Sequence, residues 1–529
     1  MAPLKLRGRA LYAVMNAVCG MAFLMFGYDA GVLAGVQATE PFLSAIGHPE
    51  QRSSVIIPMI ASSYTLGAWV MSMLISFIGS PMGRRNCIIT GNIFVIVGGT
   101  LQASSFSVGQ IIVGRVLCGF GIGFISSTVP TYIAEMSIKP TDHGPAVASQ
   151  SIILIFGVAF SGWVDFGFTR MHNQVSWRFP IAFQTFFAIS SGIGMLFMPD
   201  TPRWYYVKGR FEEGDQVLSA LHNLPLEDEH VQAQRAQIFE AIEIETSQKA
   251  FNPITLLWDN TELQAGRRLR TSFLILFFQQ LMGINQLIYY STIIFSQVGV
   301  SPFLGSLLAA VMNTVFWIGT WFLPATIEKY GRRGIMLVTA GLLTLFMLIF
   351  VVMINLGDKK NDATQWTAVA AVLAYMVCFG YGWVGIAWLY GPEVCLLEND
   401  PKAPVNDTSY VQIAPLRYRH LGGCFGAAGE WAGTFITVFA GGIALDRVGP
   451  MIWVWYLIFC FLSVLYVYFC CPETSGKTLE EIDAIFMKHP PQFTEIILEK
   501  AEGGHHGTSG VKETATSDVH EEEYAVKPA

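Results

Sequence analysis

Twelve apolar runs, each near the length needed to cross a membrane, alternate with short polar stretches. They fall near 11–34, 56–78, 87–106, 109–134, 146–168 and 179–198, then near 271–296, 303–326, 334–356, 366–391, 421–445 and 451–471. A hydrocarbon core about 30 Å thick needs about 20 residues of helix to span it. The pattern therefore predicts an all-α integral membrane protein of twelve transmembrane helices. The seventh run, FLILFFQQLMGINQLIYYSTIIF at 273–295, carries Gln279, Gln280, Asn285, Tyr289 and Tyr290. Amides and phenols cost free energy in hydrocarbon unless they face protein or water, so this run implies a polar site near the midplane. At 100° per residue, Gln279 and Tyr290 lie about 20° apart, but Gln280 and Asn285 lie roughly 140° apart. That is too wide for one narrow helix face, and a break at Gly283 would let the amides converge.

Composition and charge add orientation. The 529 residues are 52% hydrophobic and 13% charged, as a membrane-embedded chain requires. The first run continues into FGYDAGV without a clear cleavage site, so it reads as a span rather than a removable leader. Lys5, Arg7, Arg9, Arg84, Arg85, Lys139, Arg203, Lys208, Arg267, Arg268, Arg270, Lys329, Arg332, Arg333, Arg417, Arg419 and Lys477 share one side of this topology. The positive-inside bias makes that side, and both termini, cytosolic. The net charge of −7 adds little, and nine cysteines, mostly inside spans, argue against a disulfide framework. No nucleophile–base set, phosphate loop or metal cluster stands out, so neither an enzyme nor a bound cofactor or metal is expected, and nothing points to nucleic acid.

The chain also repeats itself. MGRRNCIITG, with Arg84, is echoed by YGRRGIMLVTAG, with Arg332, at an offset of 248; Pro130-x-Tyr132-x-x-Glu135 is echoed by Trp388-x-Tyr390-x-x-Glu393 at an offset of 258. Parallel six-helix repeats place a solute between two halves. The boundaries expected are a cytosolic N-terminus at 1–10, a first half at 11–198, a linker at 199–270, a second half at 271–471 and a polar, disordered tail at 472–529. FEEGDQVLSALHNL and EHVQAQRAQIFEAIEIE in the linker are too polar to span lipid and read as short cytosolic helices.

QQLMGINQLIYY closely resembles the seventh-helix signature of the sugar porters of the major facilitator superfamily. MGRR and YGRR after the second and eighth runs, GRVLCGFGIGF in the fourth, PDTPRW after the sixth and PETSGKTLEEID after the twelfth extend the resemblance over about 11–480. It implies a fungal-type hexose or monosaccharide transporter, working by alternating access, functional as a monomer in the plasma membrane, with a small sugar and a proton as its partners. Gln150, Gln279, Gln280, Asn285, Asn313, Trp388 and Trp431 match the family's sugar-binding positions. Amides donate to and accept from hydroxyls, while indoles stack on sugar C–H faces; packing between helices is the bland alternative for each residue. Asp29, with Arg115 as its implied partner, is the proton-coupling candidate; a permanent ion pair is the alternative. Arg84, Arg85, Arg332 and Arg333 are expected to pair with Glu135, Glu393 and Glu473, with Arg417 nearby, to close a cytosolic gate, beside their role in fixing topology. Gly380, Gly382, Gly385 and Gly391-Pro392 would loosen the tenth helix.

Three departures stand out. Glu430 occupies a position where many sugar porters have a neutral amide; it could accept sugar hydroxyls, titrate, or select another solute. His143-Gly144 replaces the common Arg-Gly. Residues 394–412 interrupt what would otherwise read PEIAPLRYR, as a mobile loop or as a retained intron of 57 nucleotides in the gene. Facilitated diffusion, a transporter-shaped sugar sensor and a specialised-metabolite carrier remain the alternatives to symport. Sensors of this kind often carry longer cytosolic tails, which favours transport.

Overall fold

A computed structural model describes residues 6–51, 53–137, 143–247, 258, 264–357, 361–395, 415–475 and 485–486, with side chains withheld at a few of these positions, among them 143–148 and 415–421. Among the described residues twelve helices are long and apolar enough to cross a membrane. The first six spans run over Gly8–Val36, Ile56–Met82, Arg84–Ala103, Val108–Glu135, His143–Phe168 and Val175–Leu196. Short helices Pro202–Val207, Phe211–His222 and Glu229–Ser247 follow, where the polar linker predicts them. All nine cysteines are free.

The second six spans are less regular. The seventh is three pieces, Ala265–Leu281, Ile284–Tyr289 and Ser291–Val298. Gly283, at φ 98°, makes the first break, in a backbone region that costs glycine little. The eighth span is Pro302–Thr320, the ninth Arg332–Leu356, the eleventh Pro415–Arg447 and the twelfth Ile452–Cys470. The tenth starts as Asp362–Phe379, widens into a π-helical turn at Gly380–Val384 and resumes as Gly385–Val394. A π turn leaves backbone groups locally out of step, and such turns gather at functional sites.

Within the first half the first span packs on the fifth and the second on the fourth, while in the second half the seventh packs on the eleventh. Two seams join the halves, the second span against the eleventh and the fifth against the eighth. Trp388 packs against the apolar cores of both halves. In lipid there is no hydrophobic drive between helices, so close approach by small residues does much of the joining. A Cβ on Gly429 would meet the Phe273 carbonyl of the seventh span, and one on Gly433 would lie 2.8 Å from Gln280 Cβ. The eleventh span thereby presses on the amide-bearing stretch.

Candidate functional site

Asp29 and Arg115 are brought together in the first half. Arg115 Nη1 donates to Asp29 Oδ1 at 2.8 Å, with the two side chains 1% and 0% exposed. The guanidinium also lies 4.5 Å from the centre of the Tyr64 ring and beside Tyr289. Tyr289 belongs to the broken seventh span, and its carbonyl accepts from Gln37 Nε2 of the first at 2.6 Å. Arginine stays charged in proteins, so Asp29 sits against a fixed positive charge. Asp29 Oδ2 has no partner.

The seventh-span amides do converge. Asn285 Nδ2 donates to Gln280 Oε1 across the Gly283 break, and to Thr434 Oγ1 of the eleventh span at 3.1 Å. Gln280 Nε2 donates to Gln279 Oε1 at 3.3 Å, and Gln279 Nε2 to the carbonyl of Trp383 in the π turn at 3.1 Å. Glu430 lies beside Gln280, and its Oε2 has no hydrogen-bond partner. Three spans thus meet on one chain of amides, with the acid beside it.

Other expected solute residues lie around this chain. Trp431 is 2% exposed, packs against Phe26 at 5.3 Å and Tyr64 at 5.9 Å between ring centres, and donates Nε1–H to Ser126 Oγ at 3.3 Å across the halves. Trp388 is partly buried against both halves. Gln150 Nε2 donates to the Asn16 carbonyl at 3.4 Å, with Oε1 unpartnered. Asn313 faces Gly162 and a cavity shared with Asp165. Thr434 and Asp165 are additions that the sequence did not single out. Thr434 is one helical turn beyond Glu430, a spacing that could have flagged it.

The arginine corners correct one expectation. Arg84 Nη2 pairs with Glu135 at 2.7 Å, and Arg332 Nη2 with Glu393 at 3.1 Å and Glu328 at 3.0 Å. Among the described residues, Arg85 and Arg333 do not reach carboxylates with their side chains. Arg85 donates to the carbonyls of Met195 and Leu196 at 3.2 and 2.7 Å, and Arg333 to the Tyr468 carbonyl at 2.8 Å. These are the last carbonyls of the sixth and twelfth spans, the negative ends of their helix dipoles. Glu473, too, is held by backbone rather than by guanidinium: it accepts the N–H of Arg332 and of Arg333, each at 2.9 Å. Gly331, at φ 74°, starts the ninth span so that these N–H groups point at the acid.

The first half repeats this with an acid missed from sequence, Asp200. It accepts the N–H of Arg84 at 3.1 Å and of Arg85 at 3.3 Å, beside Gly83 at φ 89°. Burial pushes its carboxyl up to about 6. Tyr132 and Tyr390 hold the two acid-bearing turns, donating to the carbonyls of Pro199 at 2.8 Å and Pro472 at 2.7 Å. The parallel of PDT at 199–201 with PET at 472–474 was the available signal. The side chains of Arg417 and His143, and most of 394–412, lie outside the described residues.

The sequence profile of the Sugar (and other) transporter family matches residues 13–486. The sugar transporter STL1 of Saccharomyces cerevisiae is 29% identical over 501 residues, 91% of this chain and 82% of that one. The high glucose sensor RGT2 of the same yeast is 27% identical over 502 residues, 92% of this chain and 62% of the sensor. In three dimensions the chain is similar to the proton:xylose symporter XylE bound to 6-bromo-6-deoxy-D-glucose, with a TM-score of 0.73 at 19% identity, covering 90% of this chain and 100% of the other. The inward open xylose transporter XylE from E. coli gives a TM-score of 0.69 at 19% identity, covering 90% and 99%. That likeness shows the major facilitator fold of a multi-pass membrane protein, and these relatives are transporters and a sensor rather than enzymes. Since the profile runs from the first span to beyond the twelfth, the chain belongs to the Sugar (and other) transporter family.

Proposed function

We infer that the chain moves a monosaccharide or a related polyol across the plasma membrane by alternating access, as a monomer, with proton entry driving uptake. The carrying observation is that the two systems touch: Arg115, paired with Asp29, lies beside Tyr289, which ends the short helix that begins at the Gly283 break and accepts at its carbonyl from Gln37 of the first span. A proton on Asp29 would release Arg115 and with it Tyr289. The piece of the seventh span that carries Asn285 is then free to move against Gln280. Solute hydroxyls would replace the amide-to-amide bonds among Gln279, Gln280 and Asn285, with Glu430 as a further acceptor and Trp388 and Trp431 against the C–H faces. Gln150 and Asn313 would complete the site from the fifth and eighth spans. The arginine corners, placed on the cytosolic side with both termini, would hold the inner ends of the helices and loosen as that side opens. A relative named as a sugar transporter and a fold neighbour named as a proton:xylose symporter support this reading.

The test is uptake of a radiolabelled panel of hexoses, pentoses and polyols in transporter-deficient cells, with and without a protonophore. Concentrative uptake abolished by the protonophore is expected. Uptake of no sugar or polyol would sink the proposal, and binding without movement would point instead to a sensor.

A further inference from the structure

A second buried carboxylate lies outside the coupling pair and the amide chain. Asp165, near the end of the fifth span, is 4% exposed; its Oδ2 accepts the Gly35 N–H at 3.2 Å and its Oδ1 has no partner. It lines a cavity enclosing about 350 Å³, mouth included, where the ends of the first and fifth spans meet Thr292 and the eighth span. Asn313 lines the same cavity, is 2% exposed, and also has an unpartnered Oδ1. Space for both comes from glycine: a Cβ on Gly35 would lie 2.6 Å from Asp165 Cβ, and one on Gly162 would lie 3.2 Å from Asn313 Nδ2.

The other polar groups of the wall present oxygen as well. Thr169 donates its hydroxyl to the Asp165 carbonyl at 2.6 Å, Thr292 to Ala34 at 3.2 Å, and Ser306 to Phe303 at 2.9 Å. Each has used its only hydrogen on backbone and is left with lone pairs. Among the described residues no lysine, arginine or histidine lines the cavity. Of the elements packed around it, the first span contributes Tyr28, which donates to the Pro180 carbonyl, and Asp29, held by Arg115. The seventh contributes Tyr289 and Tyr290, the latter donating to Val438, and the eighth has no titratable residue in Pro302–Thr320. On the fifth span's own end, Arg170 lies over the rings of Phe166 and Phe303, 4.0 and 4.9 Å from their centres.

An acid among acceptors, inside a membrane span and without a cation, is costly unless a positive charge joins it. A polyol would satisfy the acceptors but leave the charge. Hard oxygen donors of this kind suit a small monovalent cation. We propose that this cavity is a monovalent-cation site, taking hydronium or an alkali ion, in which Asp165 supplies the charge and Asn313, Thr292, Ser306 and Thr169 supply neutral oxygens. Asp165, Thr169, Thr292 and Ser306 sit toward the ends of spans away from the arginine corners, with Asn313 as the deeper wall, so the site loads from the opposite face. Asp29 lies six residues before Gly35 on the first span, which places two cation stations in series along one helix. That a cation here helps drive solute rests on the transport reading; its binding does not.

Binding is therefore read without transport, by thermal unfolding of the purified full chain followed by tryptophan fluorescence. One arm titrates sodium or potassium against choline at fixed pH and ionic strength; the other lowers pH from 8 to 5 in choline. The expected result is a saturable rise of at least about 3 °C in one arm, which identifies the ion. Asp165→Asn should lose that rise, except for the part that Asp200 gives to parent and variant alike in the pH arm, and Thr292→Val should move its midpoint at least threefold. Asp200 contributes the same pH slope to parent and variant, so their difference reads Asp165. No response in either arm, or an equal response in parent and Asp165→Asn, overturns the site. Should Asp165→Asn fail to fold, an unchanged midpoint in Thr292→Val overturns it, and a shifted one supports it.

Discussion

In the first half the span nearest the chemistry is one uninterrupted helix, Gly8–Val36, and its ion partner rides on another, Val108–Glu135. In the second half the corresponding seventh span is broken at Gly283 and again at Tyr290, and the tenth contains a π turn. On the proposed function, the contrast follows from what each half carries. A buried ion pair is worth its desolvation cost only if the geometry is tight, and two continuous helices hold Asp29 and Arg115 at 2.8 Å. Solute recognition needs donors and acceptors that can be exchanged, and broken helices supply amides with backbone freedom beside them. Continuity thus goes with charge and interruption with hydrogen bonding.

The largest test of that division sets Asp29→Asn against Gln280→Ala. A proton entering through 100 mV supplies about 2.3 kcal/mol, enough for roughly fifty-fold accumulation. Asp29→Asn should bring the accumulation ratio to about one while leaving solute exchange across the membrane measurable. Gln280→Ala should raise KM about 10- to 100-fold in uptake and exchange alike, because it removes the amide that bonds Gln279 and Asn285, worth about 1.5–3 kcal/mol. If Asp29→Asn still concentrates solute, or Gln280→Ala changes only accumulation, the two halves do not divide the work this way.

At the corners the halves look alike but are not equally protected. Without Arg84, Glu135 keeps Arg203 and Thr201 nearby. Without Arg332, Glu393 is left with the Thr474 hydroxyl and faces a second acid, Glu328. Arg332→Ala should therefore destabilise by about 2–4 kcal/mol and Arg84→Ala by about 1–2 kcal/mol, discounted because these pairs are partly exposed. Thermal unfolding of the two variants checks the order, and a larger loss for Arg84→Ala would reverse it.

What could be seen in the sequence depended on whether chemistry leaves a mark there. Twelve spans are written as apolar runs, and the break at Gly283 as a glycine amid amides set roughly 140° apart. The acids opposite Arg84 and Arg332 are written as charges in repeated motifs. The targets of Arg85 and Arg333 are not, because every residue has a carbonyl and only the fold decides which ones end a helix beside an arginine. Trp431 and Ser126 meet 305 positions apart, which no local pattern announces. Asp165 escaped notice for the same reason: its neighbours Gly35 and Asn313 lie far away in the chain, and a single acid in an apolar run names no partner.

The smallest expected effect is a pH slope at the Asp200 corner. Asp200 is pushed up to about 6 by burial, against the backbone N–H bonds from Thr201, Arg84 and Arg85 that hold it down. With a folded value above the ordinary 3.8, the folded chain binds the proton more tightly than the unfolded chain. This contribution to stability is complete below about 4 and is lost as pH rises through about 6. Its ceiling is on the order of 3 kcal/mol, from a shift of about two units. Between pH 7 and 5 the parent should gain a few degrees in unfolding temperature, and Asp200→Asn, which cannot titrate, should gain less. Parallel slopes in the parent and Asp200→Asn would mean that this buried acid carries no pH sensitivity.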